Sequence, residues 1–195
     1  MKASMTVIHL RAPVALKPAT DGELPSRVTG VGYSGQLIPG MGCVIDLAST
    51  IVADRLPLLH EHDRDAVVGA VTRAAVEGGA LLIEGQLFSD MVGSKAEKIA
   101  QLAQRGAPFQ MSVGLFGYVE ATVRLGEVVT VNGATVAGPV TVLRRGTVRE
   151  CSIVTLGADP NAVARLFGQG AKGTNNLDPR SVLARRAREA AGYGR

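Results

Sequence analysis

Apolar positions in this chain fall into short runs that alternate with polar ones or break at Gly, Pro and Asn, and one stretch repeats most clearly with the period of a helix. Strands are expected over residues 27–38, 67–76 and 80–88, the last two parted by Glu77-Gly78-Gly79, a hairpin punctuation. The helical stretch is 94–106. Ile99, Leu102 and Ala103 share one face there, Ser94 caps with Glu97 three residues on, and Gly106 stops the helix. Strands resume over 109–124 and 128–131, turn at Asn132-Gly133, and continue over 134–143 and 147–155. Asp159-Pro160 reads as the opening of a short helix through Phe167, with Asp159 as cap and Pro160 at the first helical position. Residues 1–26 read as a loosely held arm, 168–178 as a Gly, Asn and Lys linker, and 179–191 as a basic helical segment. The expectation is one α+β domain over 27–167, a mainly antiparallel β-barrel with a few surrounding helices.

Composition narrows the functional classes. Aromatic residues make up 4% of the chain and Gly occurs 24 times, so Val, Leu, Ile and Ala must fill the core between many tight turns. The net charge of +4 resides in the tail, because residues 168–195 carry six Lys and Arg against Asp178 and Glu189. The body is then neutral, with its charges interspersed, and offers no nucleic-acid footprint. No apolar run approaches membrane-spanning length, and the N-terminal one is interrupted by His9 and Arg11, which implies a soluble intracellular protein. Cys43 and Cys151 are too few for a disulfide framework and read as small buried residues.

Three patches carry candidate chemistry. LLHEHD reads as strand, which would put His60 and His62 on one face and Glu61 and Asp63 on the other. A zinc site would need a third ligand from His9 or a carboxylate, so no metal or cofactor is expected. Ser112, in MSVGL, lies in an apolar run where its hydroxyl would need a partner if buried, and the flanking Gly114 lets the backbone approach a substrate closely. Glu150, in RECSIVT, is a carboxylate in a half-buried strand. It either pairs with Arg144, Arg145 or Arg149, or accepts a hydrogen bond from a histidine. Base, nucleophile and orienting acid would stand in the chain order His62, Ser112, Glu150, unlike the orders of chymotrypsin-like, subtilisin-like and α/β-hydrolase enzymes.

Taken together, Glu61-His62-Asp63 after an apolar run, a helix ending in Gly106, Ser112-Val113-Gly114-Leu115 and Glu150-Cys151-Ser152-Ile153-Val154-Thr155 resemble the tailed-phage prohead proteases. Those capsid-maturation serine proteases have a fold similar to the herpesvirus assemblin. The chain departs from the family pattern at Glu61, where Asn is usual, at Leu115, where Phe is usual, and after Thr155. The resemblance implies a serine endopeptidase with His62 as general base, Ser112 as nucleophile and Glu150 as orienter. Oxyanion donors would come from the N–H groups of Val113 and Gly114 or from the Arg144-Arg145 pair. The implied substrates are the major capsid protein, the scaffold protein and the chain itself, inside the immature procapsid in the host cytoplasm, with the protease as a homo-oligomer. Two other readings fit the same residues: a non-enzymatic β-barrel interaction module of the shell or scaffold, and a small-molecule serine esterase.

Overall fold

Two-residue turns with left-handed backbone at both positions organise the sheet. In the computed structural model, which describes residues 24–168, strands β1 (Arg27–Tyr33), β2 (Cys43–Ile45), β3 (Ile51–Val52), β4 (Pro57–His60), β5 (Asp63–Glu77) and β6 (Ala80–Leu87) precede the single α-helix among these residues, α1 (Lys95–Gln104). Strands β7 (Gln110–Phe116), β8 (Val119–Val123), β9 (Val128–Val131), β10 (Ala134–Ala137), β11 (Val140–Arg144), β12 (Thr147–Val154) and β13 (Val163–Phe167) follow. Gly78-Gly79 joins β5 to β6 at φ of 58° and 80°, and Asn132-Gly133 joins β9 to β10 at 53° and 81°. Such angles match the right-handed twist of the flanking strands, and Gly and Asn reach them at little steric cost. The third such turn, between β4 and β5, is Glu61-His62 at 53° and 57°. Glu has no preference for that region, whereas His enters it more often than most residues other than Gly.

The larger sheet runs β13-β1-β6-β5-β4-β12, with β7 along the other edge of β12. On the edge shared with β4, β3 also pairs with β12, further toward its start. The sheet curls until its ends meet, where Ala164 N of β13 donates to Phe109 O just ahead of β7 at 3.2 Å. A second sheet, β2-β11-β8, and the β9–β10 hairpin enclose a small core of Val44, Val123, Val131, Val140 and Val142. The fold is the expected α+β arrangement dominated by β-strands, mainly antiparallel, with short parallel pairings of β12 with β3 and β4 and of β11 with β2. One α-helix replaces the several expected around it.

Aliphatic side chains fill the main core, as the scarcity of aromatics requires, with Val28, Leu58, Leu81, Ile83, Met111 and Ile153 fully buried. Both cysteines are buried and free. Ser94 caps α1 by accepting from Glu97 N at 3.1 Å, while the Glu97 carboxylate reaches back to Gly93 N. The buried face of α1 is Ala96, Ile99, Ala100 and Ala103, and Leu102 lies off it toward solvent.

The expected boundaries fail where a glycine or a tertiary pairing intervenes. The 109–124 run is cut at Gly117, φ 65°, into β7 and β8, which join different sheets. Gly138-Pro139 divides 134–143 into β10 and β11, since Pro139 has no N–H for a ladder. The helix expected from Asp159 to Phe167 is a turn followed by β13. Asp159 caps Asn161 N at 2.9 Å, and the Val163–Phe167 backbone then pairs with β1, overriding local propensity. Residues 24–26 of the expected arm pack on the body, with Leu24 against the core and Ser26 N donating to Phe167 O. The rest of the arm, residues 1–23, the linker from 169 onward and the basic segment 179–191 lie outside the described residues.

Asn132 secures the β9–β10 hairpin to the body. Its side chain accepts from Leu47 N at 3.0 Å and donates to Gly35 O and Ile45 O at 2.9 and 2.8 Å. Replacing it by Ala removes three partly buried hydrogen bonds and places a Cβ-bearing residue without local side-chain bonding at positive φ. We expect Asn132→Ala to lower stability by about 2–4 kcal/mol, read as a shift of the urea midpoint at unchanged m-value.

Candidate active site

A bulge in β12 decides which side chains face the site. Glu150 pairs with Gly114 and Val148 with Leu115, so Arg149 is the extra residue that resets the alternation. Val148, Cys151 and Ile153 therefore all point into the main core, and Glu150 and Ser152 point to the opposite face. On β7, Met111, Val113 and Leu115 pack on that core, leaving Ser112 and Gly114 on the face of Glu150 and Ser152. Ser112 stands directly across from Ser152. Facing Cβ atoms in such a pair lie roughly 5 Å apart.

The β4–β5 turn delivers the histidine onto this face. Glu61 N donates to Ile153 O at 3.1 Å, the Glu61 carboxylate accepts from Thr155 N at 2.6 Å, and His62 N donates to Ser152 Oγ at 3.2 Å. These bonds to β12 hold both residues of the turn in the left-handed region, which costs on the order of 1–3 kcal/mol per residue and persists only where the surroundings over-determine it. His60 and His62 accordingly do not share a strand face. His60 ends β4, and His62 belongs to the turn.

His62 Nδ1 lies 2.8 Å from Glu150 Oε1, and Ser152 Oγ donates to Glu150 Oε2 at 2.7 Å. Both oxygens of the buried carboxylate are thus bonded. The two partners open in the sequence resolve in favour of the histidine. Arg144 pairs instead with Asp46 at 3.5 Å, Arg149 lies over the Phe116 ring at 5.8 Å, and Arg145 occupies a turn at φ 57°. With Nδ1 engaged, Nε2 is the ring nitrogen open to a further group, and the His62 side chain is 45% exposed. The Glu150 hydrogen bond, followed by the charges of Glu150 and Glu61, raises the His62 pKa above 6.5 against the opposing effect of partial burial.

His62 and Ser112 line one groove of about 280 Å³, whose walls include Tyr33, Leu143, Tyr118 and Asp159. Cys43 also lines it, but burial raises its thiol pKa above 9 and disfavours the thiolate. Burial likewise raises the Cys151 thiol on the core side of β12. The structure thus gathers His62, Ser112 and Glu150. It leaves Arg144 with Asp46 and Arg145 in its turn, both outside the groove lining. Val113 and Gly114 are consecutive on a strand paired along one edge, so their N–H groups point to opposite edges and one of the two is directed at β12. Among the described residues, no three His, Cys, Asp or Glu side chains converge as a metal site would require, and no helix is long and apolar enough to cross a membrane.

Sequence reasoning missed Ser152, which bridges the carboxylate and the His62 backbone. Two-residue alternation from Glu150 was the available signal. It also gave Gly114 another function. A Cβ there would stand 2.9 and 3.0 Å from Glu150 Cγ and Cδ, so the group that needs close approach is the Glu150 side chain crossing over β7.

No protein-family model matches the chain, and no curated protein does. Among solved structures it is similar to KSHV protease in complex with a hexapeptide phosphonate inhibitor, at 13% identity and a TM-score of 0.45, and to varicella-zoster virus protease, at 12% and 0.45. In each case 86% of this chain and 77% of the other are covered.

Gly114→Ala should displace the Glu150 carboxylate from His62 while leaving the core intact. We expect the His62 pKa, followed by NMR titration of the imidazole, to fall toward its ordinary value with little change in thermal midpoint. An unmoved His62 titration would show that Gly114 does not make room for Glu150.

Proposed function

We propose that this chain is a serine endopeptidase in which Ser112 is the nucleophile, His62 the general base and Glu150 the residue that orients the base. The observation that carries the reading is the 2.8 Å bond from His62 Nδ1 to buried Glu150, made on the face where Ser112 stands. A carboxylate on Nδ1 fixes the tautomer that leaves Nε2 unprotonated, and it stabilises the imidazolium formed during the reaction. Ser112 Oγ attacks a substrate carbonyl carbon as its proton passes to His62 Nε2. The tetrahedral intermediate collapses when the imidazolium protonates the leaving amine. Water activated by the same nitrogen then cleaves the acyl-enzyme. Whichever of Val113 and Gly114 directs its N–H away from β12 is the backbone donor available to the oxyanion.

For substrate we adopt capsid-maturation processing: cleavage of major capsid and scaffold protein, and of the chain itself, in an immature procapsid within the host cell, with the protease acting as a homo-oligomer. The support is the order and spacing of the His62, Ser112 and Glu150 motifs. Ser112→Ala should preserve the fold and lower turnover by roughly 10⁴-fold or more. The measurement is gel analysis of capsid and scaffold protein coexpressed with the wild type or the variant. Unchanged processing would remove Ser112 from the mechanism, and rapid turnover of small esters with no polypeptide cut would favour an esterase.

The sign of the pH dependence follows from the shift at His62. Catalysis needs the imidazole neutral, so activity falls as pH drops through the folded-state pKa, which lies above 6.5. Glu150→Gln removes the charge that raises it. The acid limb of kcat/KM should move to lower pH, and the plateau should drop by about 10²- to 10⁴-fold. An acid limb that stays in place would contradict the assignment of Glu150 as the orienter.

A further inference from the structure

Asp159 lies opposite in character to everything else in the groove. It is 6% exposed, yet it lines the same cavity as Ser112, and apart from His62 no other side chain on that wall carries a charge. Its carboxylate accepts from Ser34 N at 2.7 Å and from Asn161 N at 2.9 Å. Both are neutral backbone donors. No ion pair with Asp159 forms among the described residues, so two hydrogen bonds hold the carboxylate in place while its negative charge stays uncompensated. A carboxylate has about four lone-pair positions, and two remain. The charge is felt across the groove. Burial foremost, with the charge of Asp159 adding to it, raises the Tyr33 phenol pKa against an opposing hydrogen bond from Ile45 N.

The position of Asp159 relative to Ser112 is set by the loop that carries it. Gly157 N donates to Gln110 Oε1 at 2.7 Å, which fastens this loop beside the start of β7, before Ser112. Apart from Asp159, His62 and Ser112 the groove lining is largely apolar and includes Tyr118 and Leu143. Ser112 therefore shares its groove with one buried carboxylate and a largely apolar lining.

Resting on the peptidase reading above, we propose that Asp159 determines specificity by selecting a cationic side chain, lysine or arginine, close to the scissile bond. A low-dielectric cleft concentrates the field of one unpaired charge, and a substrate ammonium or guanidinium brought there supplies the missing counter-charge. An uncharged isostere leaves the carboxylate desolvated by the bound peptide without compensation.

The test uses the intact Ser112→Ala chain, so that binding is read without turnover. Extended peptides from the processed capsid and scaffold regions, fluorescently labelled, carry lysine or norleucine at each position in turn. At low salt, one position should show about tenfold tighter binding for lysine by anisotropy. The preference should shrink as ionic strength rises, and it should vanish when Asp159→Asn is added to Ser112→Ala. Equal binding of lysine and norleucine peptides at every position overturns the proposal without recourse to the variant. So does a preference that survives Asp159→Asn. Preferential lysine binding by a chain whose wild type cuts no peptide would sink the peptidase assignment alone.

Discussion

A buried carboxylate cannot remain ionised on a strand unless its oxygens are bonded, and Glu150 meets that condition with one histidine and one serine. Much of the local architecture follows from this requirement. The bulge at Arg149 turns Glu150 out of the core, Gly114 leaves room for its side chain, and Ser152 closes the second oxygen. The turn that presents His62 is held to the same strand by three further hydrogen bonds, from Glu61 N, to the Glu61 carboxylate and from His62 N. Remove the carboxylate, and the strained turn, the glycine and the serine lose their common partner.

The parts of the fold that were legible in the sequence are those in which local chemistry and tertiary demand agree. Gly78-Gly79 and Asn132-Gly133 announce hairpins because their backbone preference is the one the turn needs, and Ser94 with Gly106 marks α1 because caps satisfy helix ends wherever the helix packs. The Glu61-His62 turn was invisible for the opposite reason. Glu-His is not a customary turn pair and contains no Gly or Asn, so LLHEHD looks like uninterrupted strand until bonds from β12 fix the reversal. The same holds for Val163–Phe167, whose strand exists because β1 offers an unpaired edge.

The site was legible in its residue types and only partly in its connections. His62, Ser112 and Glu150 could be singled out as base, hydroxyl and buried acid, but the competition between histidine and arginine for Glu150 was undecidable from spacing. A single extra residue at the bulge changes which neighbours Glu150 can reach. Arg144 and Arg145 illustrate the converse, since adjacency in sequence to a functional strand placed them near Asp46 and in a turn. Gly114 signalled close approach to the backbone, which the sequence reading gave to a substrate and which the structure gives to the Glu150 side chain.

Because Val148, Cys151 and Ile153 fill the main core while Glu150 and Ser152, themselves buried, face the site, β12 answers two independent sets of constraints. Inside, volume-conserving exchanges among aliphatic residues are tolerated as long as density is kept. On the site face, each position is bound by a specific donor or acceptor. A lineage carrying this strand can therefore rewrite every second letter of it freely, and the chemistry travels on the letters in between.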